Sequence, residues 1–132
     1  MQKHILVIDD EPEIRSALSQ FLGLKGYRVS AVGTGEAALR VLRTDPPHLV
    51  ISDLQMEDTD GLVLIEQLKE CLPSVPVMLL TGVAFDPEVV RDNLSKKVSS
   101  YMSKTASLQE IVTEVRRLLG DALPPAADAA RP

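Results

Sequence analysis

Three apolar runs and one mixed, serine-rich run in this chain end on residues able to do chemistry. Ile5-Leu6-Val7-Ile8 runs into Asp9-Asp10, Leu49-Val50-Ile51-Ser52 into Asp53, Val77-Met78-Leu79-Leu80 into Thr81, and Val98 to Ser103 into Lys104. Short apolar runs rich in β-branched residues read as buried strands. If those strands lie parallel and adjacent, three carboxylates, a hydroxyl and an ammonium group meet at one edge of one sheet. Two unit charges about 4 Å apart repel by roughly 4 kcal/mol at a surface-like dielectric, so three acids in one cleft demand a cation. Hard oxygen donors in a partly open cleft suit Mg²⁺, which takes a few carboxylates together with water and a phosphate oxygen. Lys104 adds a fixed positive charge and Thr81 a hydroxyl donor. Such a set makes a phosphoryl site.

The intervening segments are of the kind that would hold these strands parallel. After Asp10, Glu11-Pro12-Glu13 opens a helix that Asp10 can cap, with Pro12 in the first turn and two acids at the positive end of the dipole. Its inward stripe is Ile14, Ala17, Leu18, Phe21 and Leu22, and Lys25-Gly26 ends it. Tyr27 to Val32 is a second strand, less apolar and so nearer an edge. Thr34-Gly35 starts a helix with Ala38, Leu39, Val41 and Leu42 inward, closed by Asp45-Pro46-Pro47. Past Asp53 the chain stays polar and turn-like through Gly61. A third helix then runs to Leu72 with Leu62, Ile65 and Leu68 on one face. Pro73 and Pro76 bracket the next turn. Asp86-Pro87-Glu88 starts a weakly apolar fourth helix, the loosest expected. Ser107 and Glu110 form a capping box for a last helix with Leu108, Ile111, Val112, Val115, Leu118 and Leu119 inward, and Gly120 stops it. Five strands alternating with five helices predict an α/β, doubly wound parallel sheet, whose ligands bind beyond the carboxyl ends of the strands.

Bulk properties are consistent with this reading. At 132 residues and 45% hydrophobic content the chain is sized for one domain. We expect that domain over residues 1–120 and an Ala/Pro-rich tail or linker over 121–132. The net charge of −5 argues against a nucleic-acid groove or an anionic membrane as partner. Without a signal peptide or a long apolar run, a cytoplasmic location is expected. Cys71 reads as a packed thiol, and His4 and His48 as strand-end surface residues. Lys96-Lys97 and Arg116-Arg117 read as solvated helix positions.

With Asp9-Asp10, Asp53 followed by Met56 and Gly61, Thr81, and Tyr101 with Lys104 in place, the sequence resembles a receiver (phosphoacceptor) domain of bacterial two-component response regulators over about residues 3 to 120. The resemblance implies a flavodoxin-like three-layer sandwich with sheet order 2-1-3-4-5. It implies that Asp53 accepts a phosphoryl group from a histidine kinase phosphohistidine, forming an aspartyl phosphate. Asp10, Asp53 and the main-chain carbonyl of Gln55 would bind Mg²⁺, with Asp9 assisting through water. Lys104 would pair with phosphoryl oxygens and Thr81 donate to one of them. Thr81 would then move inward and Tyr101 turn into the vacated space, altering the surface of the fourth helix, fifth strand and fifth helix. That surface is also where a homodimer could form. The implied partners are a sensor histidine kinase or phosphotransfer protein, with no nucleic acid bound by this chain alone.

The chain departs from the family pattern at several places. Thr105 stands where a proline usually follows the lysine, Glu57 where one follows Met56, and Ser99-Ser100 where a Gly-Ala pair precedes the aromatic. By the resemblance, Gln55 and Val83 occupy positions that in the family tune phosphoryl lifetime. Taken singly, Asp10 reads more readily as a helix cap, and only the Asp9-Asp10 pair at a strand end points to function, while Tyr101 reads as core as readily as a switch. An aspartyl phosphohydrolase would need a second acid at the position of Gln55. A flavin-binding protein would need a Ser/Thr/Gly-rich loop where Asp9-Asp10 stands. The remaining alternative is a pseudo-receiver that takes no phosphate and acts through its surface.

Overall fold

The computed structural model describes residues 2–53, 55–56, 59–82 and 98–120, those at 55–56 and 59–62 by their backbone alone. The expectations about Glu57, Val83, the helix from Asp86, Lys96-Lys97 and the 121–132 tail lie outside these residues.

The chain runs β1 (His4–Ile8), α1 (Pro12–Leu24), β2 (Arg28–Val32), α2 (Gly35–Thr44) and β3 (Leu49–Ser52). A short antiparallel ribbon follows, pairing Gln55–Met56 with Thr59–Asp60, where the sequence suggested only a polar turn. Then come α3 (Gly61–Cys71), β4 (Val77–Thr81), β5 (Ser100–Ser103) and the last helix, Leu108–Leu119. The five main strands are all parallel, in the order β2-β1-β3-β4-β5. This is the doubly wound sheet the alternation of elements predicts, with the less apolar β2 on an edge.

Each central strand is buried on both faces, and alternate residues serve opposite layers. Leu6, Ile8, Val50 and Leu79 pack with Ala38 and Leu42 of α2 and with Leu64, Ile65 and Leu68 of α3. Ile5, Val7, Ile51, Met78 and Leu80 pack with Leu18 and Leu22 of α1 and with Ile111, Val112 and Val115 of the last helix. The predicted helix starts and stops are largely realised. Thr34 Oγ1 accepts from Ala37 N–H, the Ser107–Glu110 capping box is complete, and Gly120 takes the left-handed conformation (φ 72°) that suits glycine.

Several details differ from expectation. The cap residue of α1 is Glu11, not Asp10, and its side chain makes no cap bond. Leu108 is exposed, because it occupies the first turn of its helix at the rim of the sheet. Cys71 is exposed at the last residue of α3, beyond the packed turn that ends with Leu68. His4 is wholly buried. It sits in the central strand β1 opposite Arg28, and its Nε2 lies 2.7 Å from Ser30 Oγ on the neighbouring strand, which satisfies the ring inside the core. His48 is exposed, as expected, and its Nδ1 accepts from His4 N–H at 2.9 Å. Among the described residues no helix is long and apolar enough to cross a membrane.

Candidate functional site

At the carboxyl ends of β1, β3 and β5 the parallel ladder continues one residue into each loop. Asp9 N–H donates to Val32 O at 3.0 Å, Asp53 N–H to Ile8 O at 2.9 Å, and Lys104 N–H to Thr81 O at 2.9 Å. Strand pairing therefore anchors the amide N–H of each of these three residues at the sheet edge. The result is the juxtaposition the sequence implies. Asp9, Asp10 and Asp53 each present a carboxylate oxygen, all within 4.8 Å of one another. Asp9, Asp53 and Thr81 are buried, and Asp10 is half-buried at the opening.

Lys104 reaches into this group from the other side. Its Nζ lies 2.9 Å from Asp9 Oδ2, 2.9 Å from Asp53 Oδ2 and 2.5 Å from Glu11 Oε2. Burial works against the ammonium charge, yet hydrogen bonds to Glu11, Asp9 and Asp53 outweigh it and hold the Lys104 pKa above that of an ordinary lysine. Burial pushes the Asp9 carboxyl up, although Lys104 and the Glu11 N–H, which donates to Asp9 Oδ1 at 2.9 Å, pull the other way. One ammonium thus faces three buried or half-buried acids and a fourth at the mouth. A compact group of hard oxygens carrying this surplus of negative charge fits a divalent cation.

The Lys104–Thr105 peptide bond is trans, as are all peptide bonds among the described residues. Thr105 contributes what proline lacks: its N–H donates to Ser103 Oγ at 3.0 Å, and Ala106 N–H donates to Ser103 O at 3.0 Å. The turn is closed by these bonds, and Lys104 still spans the cleft to Asp53. Tyr101 is exposed on the edge strand β5 instead of filling the core.

Two contributors lie outside the set the sequence nominates. Glu11 reads as a helix-opening acid, and nothing in its spacing links it to a lysine 93 residues away. Arg15 lies outside the apolar stripe of α1, and its Nη1 donates to Asp9 O at 2.7 Å.

The response regulator receiver domain model matches residues 5–116 of this chain. The probable transcriptional regulatory protein TcrX of Mycobacterium tuberculosis is 30% identical over 118 residues, which are 87% of this chain and 49% of TcrX. A CheY-like receiver domain protein from Methanospirillum hungatei superposes with a TM-score of 0.84 at 23% identity, over 91% of this chain and 95% of that one, a likeness of fold. The BeF3-activated DrrB receiver domain superposes with a TM-score of 0.80 at 28% identity, over 91% and 99% of the two chains. This chain belongs to the response regulator receiver domain family, the signalling modules of two-component systems. It spans about half the length of the curated mycobacterial relatives it matches.

Proposed function

We propose that Asp53 is the phosphoacceptor of this receiver and that its phosphorylation requires Mg²⁺. The observation that carries the reading is the shared cleft: three carboxylates within 4.8 Å, with Lys104 Nζ 2.9 Å from the central one. Asp9, Asp10, Asp53 and the main-chain carbonyl of Gln55 would hold the ion, which supplies charge neutralisation for the incoming phosphoryl oxygens. An Asp53 oxygen forms the new bond to phosphorus as the bond to the donor's leaving group breaks, in line with it. Lys104 turns from a carboxylate to a phosphoryl oxygen, and the Thr81 hydroxyl donates to another. Little covalent chemistry is asked of the protein. Positioning and charge carry the transfer.

The phosphoryl source in a two-component system is a histidine kinase or a phosphotransfer protein, and we assign that partner here. The added charge and acceptor oxygens draw Thr81 inward, and Tyr101 on β5 then follows, so the signal passes to the surface around β5 and the last helix.

Incubation with Mg²⁺ and acetyl phosphate, followed by intact-mass measurement, tests this. One phosphoryl group should be gained by the native chain, lost on addition of EDTA before the donor, and absent in Asp53→Asn. A native chain that binds Mg²⁺ yet gains no mass is instead a pseudo-receiver acting through its surface.

A further inference from the structure

Asp9 is held on every side that a residue offers. Its N–H is bonded to Val32 O, its Oδ1 accepts from Glu11 N–H and its Oδ2 from Lys104. The remaining group is its carbonyl, and there the Arg15 guanidinium donates at 2.7 Å. Arg15 is the fourth residue of α1, so one side chain ties the start of that helix to the strand end bearing the acidic doublet.

The room for that guanidinium is made by Gly33. A Cβ at position 33 would stand 2.8 Å from Arg15 Nη1 and 3.3 Å from its Cζ, but 3.7 Å from Asp9 O, an ordinary contact. Gly33 is not among the positive-φ glycines, which in the described residues are Gly26 and Gly120. Backbone conformation therefore does not require glycine at 33. Space for Arg15 does.

We infer that Arg15, seated against Gly33, is a positioning residue for the acidic site: it fixes the Asp9 main chain and with it the placement of the Asp9 and Asp10 carboxylates. The inference rests on the reading that this cluster takes a divalent cation. Groups that orient ligands from outside the first layer commonly change metal affinity by about tenfold or more when removed. Because the atom met by a Cβ at 33 is the far end of a flexible side chain, alanine there displaces the guanidinium without strain in the fold. The two substitutions should thus do the same thing by different routes.

The test is a double-substitution cycle on the full chain with Mg²⁺ alone as the probe. By calorimetric titration, Arg15→Met and Gly33→Ala should each weaken Mg²⁺ binding about tenfold, while the denaturation midpoint of metal-free Gly33→Ala stays near that of the native chain. In the Arg15→Met background, Gly33→Ala should add nothing, since the Cβ then meets no guanidinium. Unchanged affinity in either single variant, or effects that multiply in the double, overturns the inference. If the native chain takes no Mg²⁺, the metal reading has failed, and amide exchange of Glu11 in metal-free protein decides the matter. Faster exchange of that N–H in both single variants supports Arg15 as the anchor of Asp9; unaltered exchange defeats it.

Discussion

Lys104 has three ammonium hydrogens and three carboxylate partners, and the partners are unequal. Asp9 and Asp53 are almost fully buried, whereas the Glu11 side chain is 52% exposed. An exposed ion pair contributes at most about 1 kcal/mol. Removing the charge between two buried acids leaves them uncompensated, a change that costs roughly 3 kcal/mol or more. Lys104→Met should therefore destabilise the metal-free protein by about 3 kcal/mol, and Glu11→Gln by less than about 1 kcal/mol. Urea unfolding monitored by circular dichroism measures both. Since a dication held by Asp9, Asp10 and Asp53 would supply compensating charge, millimolar Mg²⁺ should recover part of the Lys104→Met loss. Equal costs for the two variants would mean that burial does not govern the strength of this network.

At the scale of elements, the edge strand β5 is tied to the last helix by side chains as well as by packing. The Glu114 carboxylate accepts from the Ser100 hydroxyl, while Arg117 Nη2 donates to it at 2.6 Å. The Arg117 guanidinium holds Glu114 below the usual glutamate range, partial burial opposes it, and the Ser100 hydroxyl adds to the lowering. A carboxyl with a depressed folded pKa stabilises the fold above its ordinary value of about 4.5 and stops doing so as pH falls through the folded pKa. Glu114→Gln should accordingly lower stability at about pH 7 and make progressively less difference as the pH falls below about 4.5 and through the depressed folded pKa. Thermal melts over a descending pH series check the sign. Elements of this kind were legible because their signals are local: the Ser107–Glu110 box, Thr34 before α2, and Gly120 after the last helix all sit within one turn of what they control. What was not legible depends on position in the sheet. His4 looks polar and terminal, yet a central strand buries its first residue as completely as its last, and Ser30 on the adjacent strand makes that tolerable. Leu108 and Cys71 fit or flank apolar stripes, but each lies at a helix end that the sheet does not cover. The Glu11–Lys104 and Arg15–Gly33 pairings join segments far apart in the chain and leave no periodic trace.

Over the whole molecule, the net charge of −5 is distributed unevenly in consequence, with Asp9, Asp10, Asp53 and Glu11 gathered at the carboxyl edge of the sheet around one lysine. The same parallel order that builds the site thus places three carboxylates within 4.8 Å of one another at this edge. A ligand that binds only the folded chain stabilises it by about 2.7 kcal/mol at a hundredfold excess over its Kd, which for a chain of this size is several degrees in Tm. Mg²⁺ should therefore raise the melting temperature in a saturable manner. Asp53→Asn removes one of the three repelling charges, so it should melt at a higher temperature than the native chain without metal and gain less from Mg²⁺. Sodium chloride at matched ionic strength separates the two ways a salt can act. It screens exposed pairs such as Arg28–Asp45, where both side chains are nearly half exposed, and it reaches buried charges much less. If sodium reproduces the Mg²⁺ shift, general screening suffices and the acid cluster holds no ion. A shift given by Mg²⁺ alone, and reduced in Asp53→Asn, ties the stability of the sheet to the edge where the phosphoryl group would arrive.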